Sequence, residues 1–132
     1  MCIVIGDEGL ISGIGVDIIE IKRIKEAIIE NERFLNKVFT PKEIELASSR
    51  RGKYEYLSAR FAAKEASIKA LGRGISWKEV EVLKDKEGRP VFRFYGRAKR
   101  KMKGKEAFLS LSHSREYALA LVVVEDEVRS GK

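Results

Sequence analysis

Residues 61–72, Phe-Ala-Ala-Lys-Glu-Ala-Ser-Ile-Lys-Ala-Leu-Gly, restrict the fold more than any other part of the chain. Alanine has the highest intrinsic helix propensity, leucine, lysine and glutamate follow closely, and neither proline nor a β-branched run interrupts the segment. Gly72 follows the last strong helix former, where a left-handed stop comes easiest. Ala62, Ala63, Ala66 and Ala70 let another backbone come close, which predicts a helix buried over much of its surface. Phe61, Glu65 and Lys69 lie four apart and so share one stripe. The stripe admits two readings. One is an ordinary i,i+4 ion pair with glutamate first, contributing about 0.2–0.5 kcal/mol. The other is a working surface.

At 132 residues and 44% hydrophobic content the chain suits one domain, residues 1–132, with a real core. The formal charge of +7 favours acidic partners: nucleic acid, anionic lipid, phosphorylated ligands or acidic proteins. Cys2 is the only cysteine, so no intrachain disulfide forms, and a lone thiol fits a reducing compartment. Residues 3–5 are too short for a signal peptide's apolar region, and no later stretch approaches a membrane span. The expectation is a soluble cytoplasmic protein without a membrane partner.

Residues 1–12 read as a lead-in of unassigned role. From Gly13, Ile14, Val16 and Ile18 alternate with Gly15 and Asp17, predicting a short strand whose glycines admit another backbone. Asp17 is expected where that strand gives way to a helix, either as its N-cap or as a ligand-facing carboxylate. Ile21, Ile24 and Ile28 predict a helix over 18–31. Lys22, Arg23 and Lys25 lie near its start, where cations oppose the helix dipole. They form either a solvated basic face or a partner surface. Phe34, Leu35, Val38 and Phe39 read as an apolar link. Thr40-Pro-Lys-Glu43 combines an N-cap, proline at the first helical position and a capping box. A long helix is expected over 54–71, a hairpin around the turn 85–88, a short helix or loop over the basic run 97–105, and strands over 108–112 and 117–124.

One cysteine and one histidine cannot build a zinc–thiolate site. No nucleophile elbow, Walker pattern or dinucleotide fingerprint is present; Gly13-Ile-Gly15 lacks the third glycine. What remains is Asp17, Glu65, His113 and many amines. Two carboxylates with open positions suit Mg²⁺, which keeps waters and is completed by substrate phosphates. Arginines and lysines hold such phosphates. The residue types point to phosphoryl-group chemistry without choosing a substrate.

Four segments occur in order: Gly13-Ile-Gly-Val-Asp17-Ile-Ile-Glu-Ile-Lys-Arg23, Phe39-Thr-Pro-Lys-Glu43, Arg60-Phe-Ala-Ala-Lys-Glu65-Ala-Ser-Ile-Lys69-Ala and Leu109-Ser-Leu-Ser-His113. Together they resemble the holo-[acyl-carrier-protein] synthases, the short 4′-phosphopantetheinyl transferases. The resemblance covers residues 13–124; the lead-in 1–12 is longer than this family usually carries. It implies an α+β fold, an antiparallel sheet packed with a long central helix and shorter helices. The implied activity is Mg²⁺-dependent transfer of phosphopantetheine from coenzyme A to a serine of apo acyl carrier protein. Adenosine 3′,5′-bisphosphate is released, and the reaction serves fatty acid biosynthesis.

By the same resemblance, Asp17 and Glu65 would hold Mg²⁺ with the coenzyme A pyrophosphate, and Lys69 would stabilise charge developing on the phosphate. The base for the carrier serine is Glu65 or a metal-bound water. His113 and Ser112 would contact coenzyme A, and Arg51, Lys53, Arg60 and Lys64 are further phosphate-binding candidates. Gly72 and Gly74 would admit the nucleotide to the backbone, and Pro90 would flank the adenine. Lys22, Arg23 and Lys25 suit the acidic recognition helix of a carrier protein. Members this short are similar in being homotrimers with sites between subunits. A reading from another class is a small basic RNA-binding module, supported by the charge and the 97–105 run. Against it, no RNP-type aromatic pattern occurs, and Phe92 and Phe94, on one strand face, are expected in the core.

Overall fold

The computed structural model describes residues 3–4 and 10–127. Cys2 and the rest of the lead-in apart from 3–4 and 10–12 lie outside the described residues. The element order is β1 (Ile3–Val4), β2 (Leu10–Glu20), α1 (Ile21–Glu30), α2 (Glu32–Val38), α3 (Pro41–Ser48), α4 (Lys53–Leu71), β3 (Val80–Lys84), β4 (Pro90–Phe94), α5 (Gly96–Lys101), β5 (Lys105–His113) and β6 (Tyr117–Asp126). A 3₁₀ turn, Trp77–Glu79, precedes β3. The strands form an antiparallel four-stranded sheet in the order β1-β2-β6-β5 and a separate β3-β4 hairpin.

Helix α4 lies on one face of the larger sheet, and small residues on both sides bring it close. A Cβ at Gly13 would run into the Ala70 carbonyl, and one at Gly15 into that of Ala66. Ala62, Ala63 and Ala66 bury against Ala120, Val122 and Val124 of β6. Because side chains alternate along a strand, Gly13, Gly15 and Asp17 share the face of β2 toward α4. Ile14, Val16 and Ile18 fall on the other face and are exposed.

The capping box of α3 forms as expected: the Thr40 hydroxyl accepts from Glu43 N–H, and the Glu43 carboxylate from Thr40 N–H. Gly72 ends α4 at φ +101°, but its ψ of −173° leads the chain away extended rather than through a left-handed turn. Phe92 and Phe94 pack against Ile75, Val80 and Ala98, as expected of core residues. Ile21 and Ile24 are core as well.

Four expectations need correction. β2 runs from Leu10 through Glu20, held to β6 as far as the Glu20–Tyr117 pair, so the helix expected from residue 18 begins at Ile21. Asp17 therefore lies inside the strand and caps no helix; Glu20 holds the cap position and makes no side-chain capping bond. The apolar link is the helix α2, started by the Asn31 side chain, which accepts from Arg33 N–H at 3.1 Å.

Lys64 is not free to serve as the phosphate-binding candidate that the resemblance implies. Its ammonium is fully buried and paired with the equally buried Glu43 carboxylate at 2.8 Å. It also donates to the carbonyls of Trp77 (3.1 Å) and Val80 (2.5 Å). Glu43 in turn accepts from Val82 N–H at 2.8 Å. Burial pulls the Lys64 pKa below that of an ordinary lysine, while Glu43 pulls it back up. An ammonium enclosed and committed in this way cannot contact a bound phosphate, so Lys64 leaves the phosphate-binding set. A buried charge is tolerated only when paired and hydrogen-bonded, and removing one partner strands the other. Lys64→Met is expected to lower stability to urea by about 3–5 kcal/mol. Lys78→Met, at an exposed position, should change it by less than about 0.5 kcal/mol. Equal urea midpoints for the two variants would show that the buried pair is dispensable.

Candidate active site

The close approach of α4 to β2 sets Asp17 beside the last turns of the helix. Lys69 Nζ donates to Asp17 Oδ1 and to the Val16 carbonyl, both at 3.1 Å. The Lys69 side chain is 56% exposed and that of Asp17 16%. An ion pair so open to water is worth only about 0–1 kcal/mol, so Lys69 is easily drawn to a stronger anion. The i,i+4 pairing of Glu65 with Lys69 does not form. Instead, Glu65 Oε2 accepts from the indole N–H of Trp77 at 2.5 Å.

Asp17 Oδ2 and Glu65 Oε1 have no hydrogen-bond partner among the described residues. Each carboxylate thus has one oxygen held by a donor and one free. Among the described residues no cluster of three or more histidine, cysteine, aspartate or glutamate side chains could hold a metal by itself. Two hard carboxylate oxygens do fit Mg²⁺, which takes few protein ligands and completes its shell with water and phosphate.

Elsewhere on the chain, a depression of about 540 Å³ is lined by Arg50, Arg51, Arg60, Lys84, Tyr56 and His113, among others. Three of its cations gather over the Tyr56 ring, Arg60 at 3.6 Å, Arg50 at 4.3 Å and Lys84 at 5.9 Å from the centroid. Burial lowers the Arg60 pKa from its ordinary value. Desolvation, and then the charges of Arg50 and Arg60, hold Lys84 below the usual lysine value. Arg60 Nε is buried without a partner among the described residues. Crowded cations with an unmet donor form a site for a multivalent anion.

The sequence candidates therefore divide. Asp17 and Lys69 are joined by their ion pair, with Glu65 one helical turn before Lys69 on α4, whereas Arg51, Arg60 and His113 line the depression. Ser112, on the alternate face of β5, and Lys53, at the start of α4, are exposed and line neither. Gly72 and Gly74 both take positive φ in the loop after α4. Their loop is tied to α5, where Lys101 donates to the Leu71 carbonyl and Arg97 to that of Gly74. Pro90 lines a different groove, with Phe108 and Lys105. Lys22, Arg23 and Lys25 are exposed along α1, with no ion pair among the described residues. Sequence reasoning passed over Arg50, Lys84 and Trp77. Arg50 adjoins Arg51 and could have been found by that; Lys84 and Trp77 carried no local signal.

Residues 13–122 match the 4′-phosphopantetheinyl transferase superfamily, and the chain belongs to that family. It is accordingly an enzyme, a transferase. A holo-[acyl-carrier-protein] synthase of Halothermothrix orenii is 45% identical over 124 residues, covering 89% of this chain and 99% of that one. The crystal structure of the Neisseria meningitidis synthase superposes with a TM-score of 0.78 at 37% identity, over 88% of this chain and 99% of that one. The Bacillus anthracis synthase, solved in complex with CoA (3′,5′-ADP), gives 0.74 at 34% identity, over 89% and 98%.

The crowding at Lys84 has a sign that can be checked. Its folded-state pKa lies below the unfolded one, so between the two values the unfolded chain holds more protons and stability rises with pH. Lys84→Met should flatten that rise, leave the melting temperature at neutral pH unchanged or higher, and reduce the stabilisation that added inorganic pyrophosphate gives. A lower melting temperature together with undiminished pyrophosphate stabilisation would mean that Lys84 is not one of a crowded set.

Proposed function

We propose that this chain is a holo-[acyl-carrier-protein] synthase, a single-domain cytoplasmic enzyme of fatty acid biosynthesis. It moves 4′-phosphopantetheine from coenzyme A to a serine of apo acyl carrier protein, with Mg²⁺, and releases adenosine 3′,5′-bisphosphate. The observation that carries this reading is that Asp17 and Glu65 each keep one carboxylate oxygen free, with Lys69 loosely held on Asp17 and one helical turn from Glu65. Among the described residues no helix is long and apolar enough to cross a membrane.

Asp17 and Glu65 would hold the Mg²⁺, which neutralises pyrophosphate charge when bound. Lys69 would pass from Asp17 to an oxygen of the phosphate that carries pantetheine and stabilise the charge growing there. The carrier serine oxygen forms a bond to that phosphorus. The bond from phosphorus to the bridging oxygen breaks, and adenosine 3′,5′-bisphosphate leaves with that oxygen. The serine proton is taken by the Glu65 carboxylate or by a water held in the site. In-line transfer of this kind depends mainly on positioning and charge neutralisation. Arg50, Arg51, Arg60, Lys84 and His113 would hold the 3′-phosphate of the nucleotide. The exposed cations of α1 would meet the acidic carrier.

The anion depression and the carboxylate pair lie at different places on one chain, which favours sites assembled between subunits. The outer face of the large sheet supports the same conclusion. Ile14, Val16, Ile18, Phe108, Leu119 and Leu121 are 36–60% exposed there, an apolar surface suited to a partner rather than to water. We propose a homotrimer; a monomeric mass by light scattering at micromolar concentration would overturn it.

The decisive measurement is the intact mass of an apo acyl carrier protein after incubation with enzyme, coenzyme A and Mg²⁺. A gain of one phosphopantetheine, abolished by EDTA, is expected. Asp17→Ala and Glu65→Ala should fold and lose turnover by a factor on the order of a hundred or more. Lys69→Ala should lower turnover more than coenzyme A affinity. Normal turnover in either carboxylate variant would remove the metal assignment.

A further inference from the structure

Trp77 is the chain's only tryptophan, and it is fixed from several sides. Its carbonyl accepts from the buried Lys64 ammonium at 3.1 Å. Its ring packs on Phe61, centroids 6.0 Å apart and planes tilted by 39°, and Phe61 packs on Phe34 at 6.2 Å. Ser76 and Glu79 close a capping box around its 3₁₀ turn. Its indole N–H donates to Glu65 Oε2 at 2.5 Å. Glu65 is a long side chain on a partly exposed stretch of α4, and its rotamer freedom must be removed before it can serve as a ligand. An indole suits that task. It has a single donor, no acceptor and no capacity to bind a metal, so it can hold one oxygen of a carboxylate without competing for the other.

We infer that Trp77 is a positioning residue, whose indole N–H holds Glu65 in the rotamer that leaves its second oxygen free for a divalent cation, and thereby sets the metal affinity of the site. The inference rests on the reading of Asp17 and Glu65 as metal ligands. The two carboxylates are then supported differently. Asp17 is held by an exposed lysine that can move away, whereas Glu65 is held by a ring anchored through Lys64 to the buried core. Partners that orient metal ligands in this way typically account for 10- to 100-fold in affinity.

The test uses the full chain with coenzyme A and reads Mn²⁺ binding from the free-ion EPR signal, beside the Mg²⁺ dependence of carrier modification. Trp77→Phe keeps an aromatic ring against Phe61 and removes only the donor. It is expected to keep the wild-type melting temperature, to bind Mn²⁺ about 10- to 100-fold more weakly, and to need correspondingly more Mg²⁺ for half-maximal rate. At saturating Mg²⁺ its turnover should lie within about threefold of wild type, because the ligands themselves remain. Wild-type Mn²⁺ affinity in Trp77→Phe would overturn the inference, whatever the melting temperature. Glu65→Ala separates the inference from the reading beneath it. If Glu65→Ala loses Mn²⁺ and Trp77→Phe does not, only the role of Trp77 falls. If Glu65→Ala binds as tightly as wild type, the ligand assignment falls and the inference with it. A measurement on the unaltered chain is independent of how the variants fold: Trp77 emission should change on Mn²⁺ addition and saturate with the bound ion. Unchanged emission at saturation would also overturn the inference.

Discussion

The buried pair of Lys64 and Glu43 is the interaction on which the rest of the arrangement depends. Its atoms tie several elements together. Glu43 completes the start of α3 and receives the backbone of β3, while Lys64, from the middle of α4, gathers the carbonyls at either end of the turn leading into β3. An ion pair away from water contributes little net stability, because desolvating both charges offsets most of their attraction. What it provides is exclusiveness: any slip of α3, of α4 or of the hairpin would leave a charge buried alone. Thr40 and Tyr95 extend the network by donating to the Glu81 carboxylate at 2.5 and 2.8 Å.

Around this anchor, α4 divides its circumference among three tasks. Alanines face the sheet, Lys64 turns toward the hairpin, and Glu65 and Lys69 reach the surface near Asp17. A polar flank and an apolar seam on one helix normally separate outside from inside. Here a lysine is as fully enclosed as the alanines beside it and a neighbouring glutamate remains partly open, so charge does not track exposure. Function concentrates where the pairing is weak, and architecture where it is strong.

The legible parts of the chain were those decided locally. Thr40 and Glu43 close their capping box within one turn, the alanine run forms its helix, and the turn at 85–88 joins its two strands. The carboxylates Asp17 and Glu65 could be singled out because few other residue types were left to carry chemistry. What could not be read was decided at a distance. The strand holding Asp17 extends to Glu20 because β6, from the far end of the chain, pairs with it that far. Lys64 resembles a surface cation among alanines until Glu43 is brought against it. Glu65 has an obvious partner one turn on, yet it takes Trp77, twelve residues away, because the intervening loop folds back over the helix. The helix α2 is the exception, a local miss: Asn31 is an ordinary cap that the apolar spacing obscured.

Gly13 and Gly15 have no side chain to contribute to chemistry, yet the distance between the two carboxylate-bearing elements is set at them. A single methyl group at Gly15 would meet the Ala66 carbonyl, and α4 would have to lift from the sheet, carrying Glu65 and Lys69 away from Asp17. Misplacing reacting groups by roughly an ångström can cost on the order of 100-fold in rate. Inherited variation at these two glycines would therefore resemble damage to the chemistry while leaving every functional side chain intact. Gene surveys that rank variants by contact with substrate would overlook it.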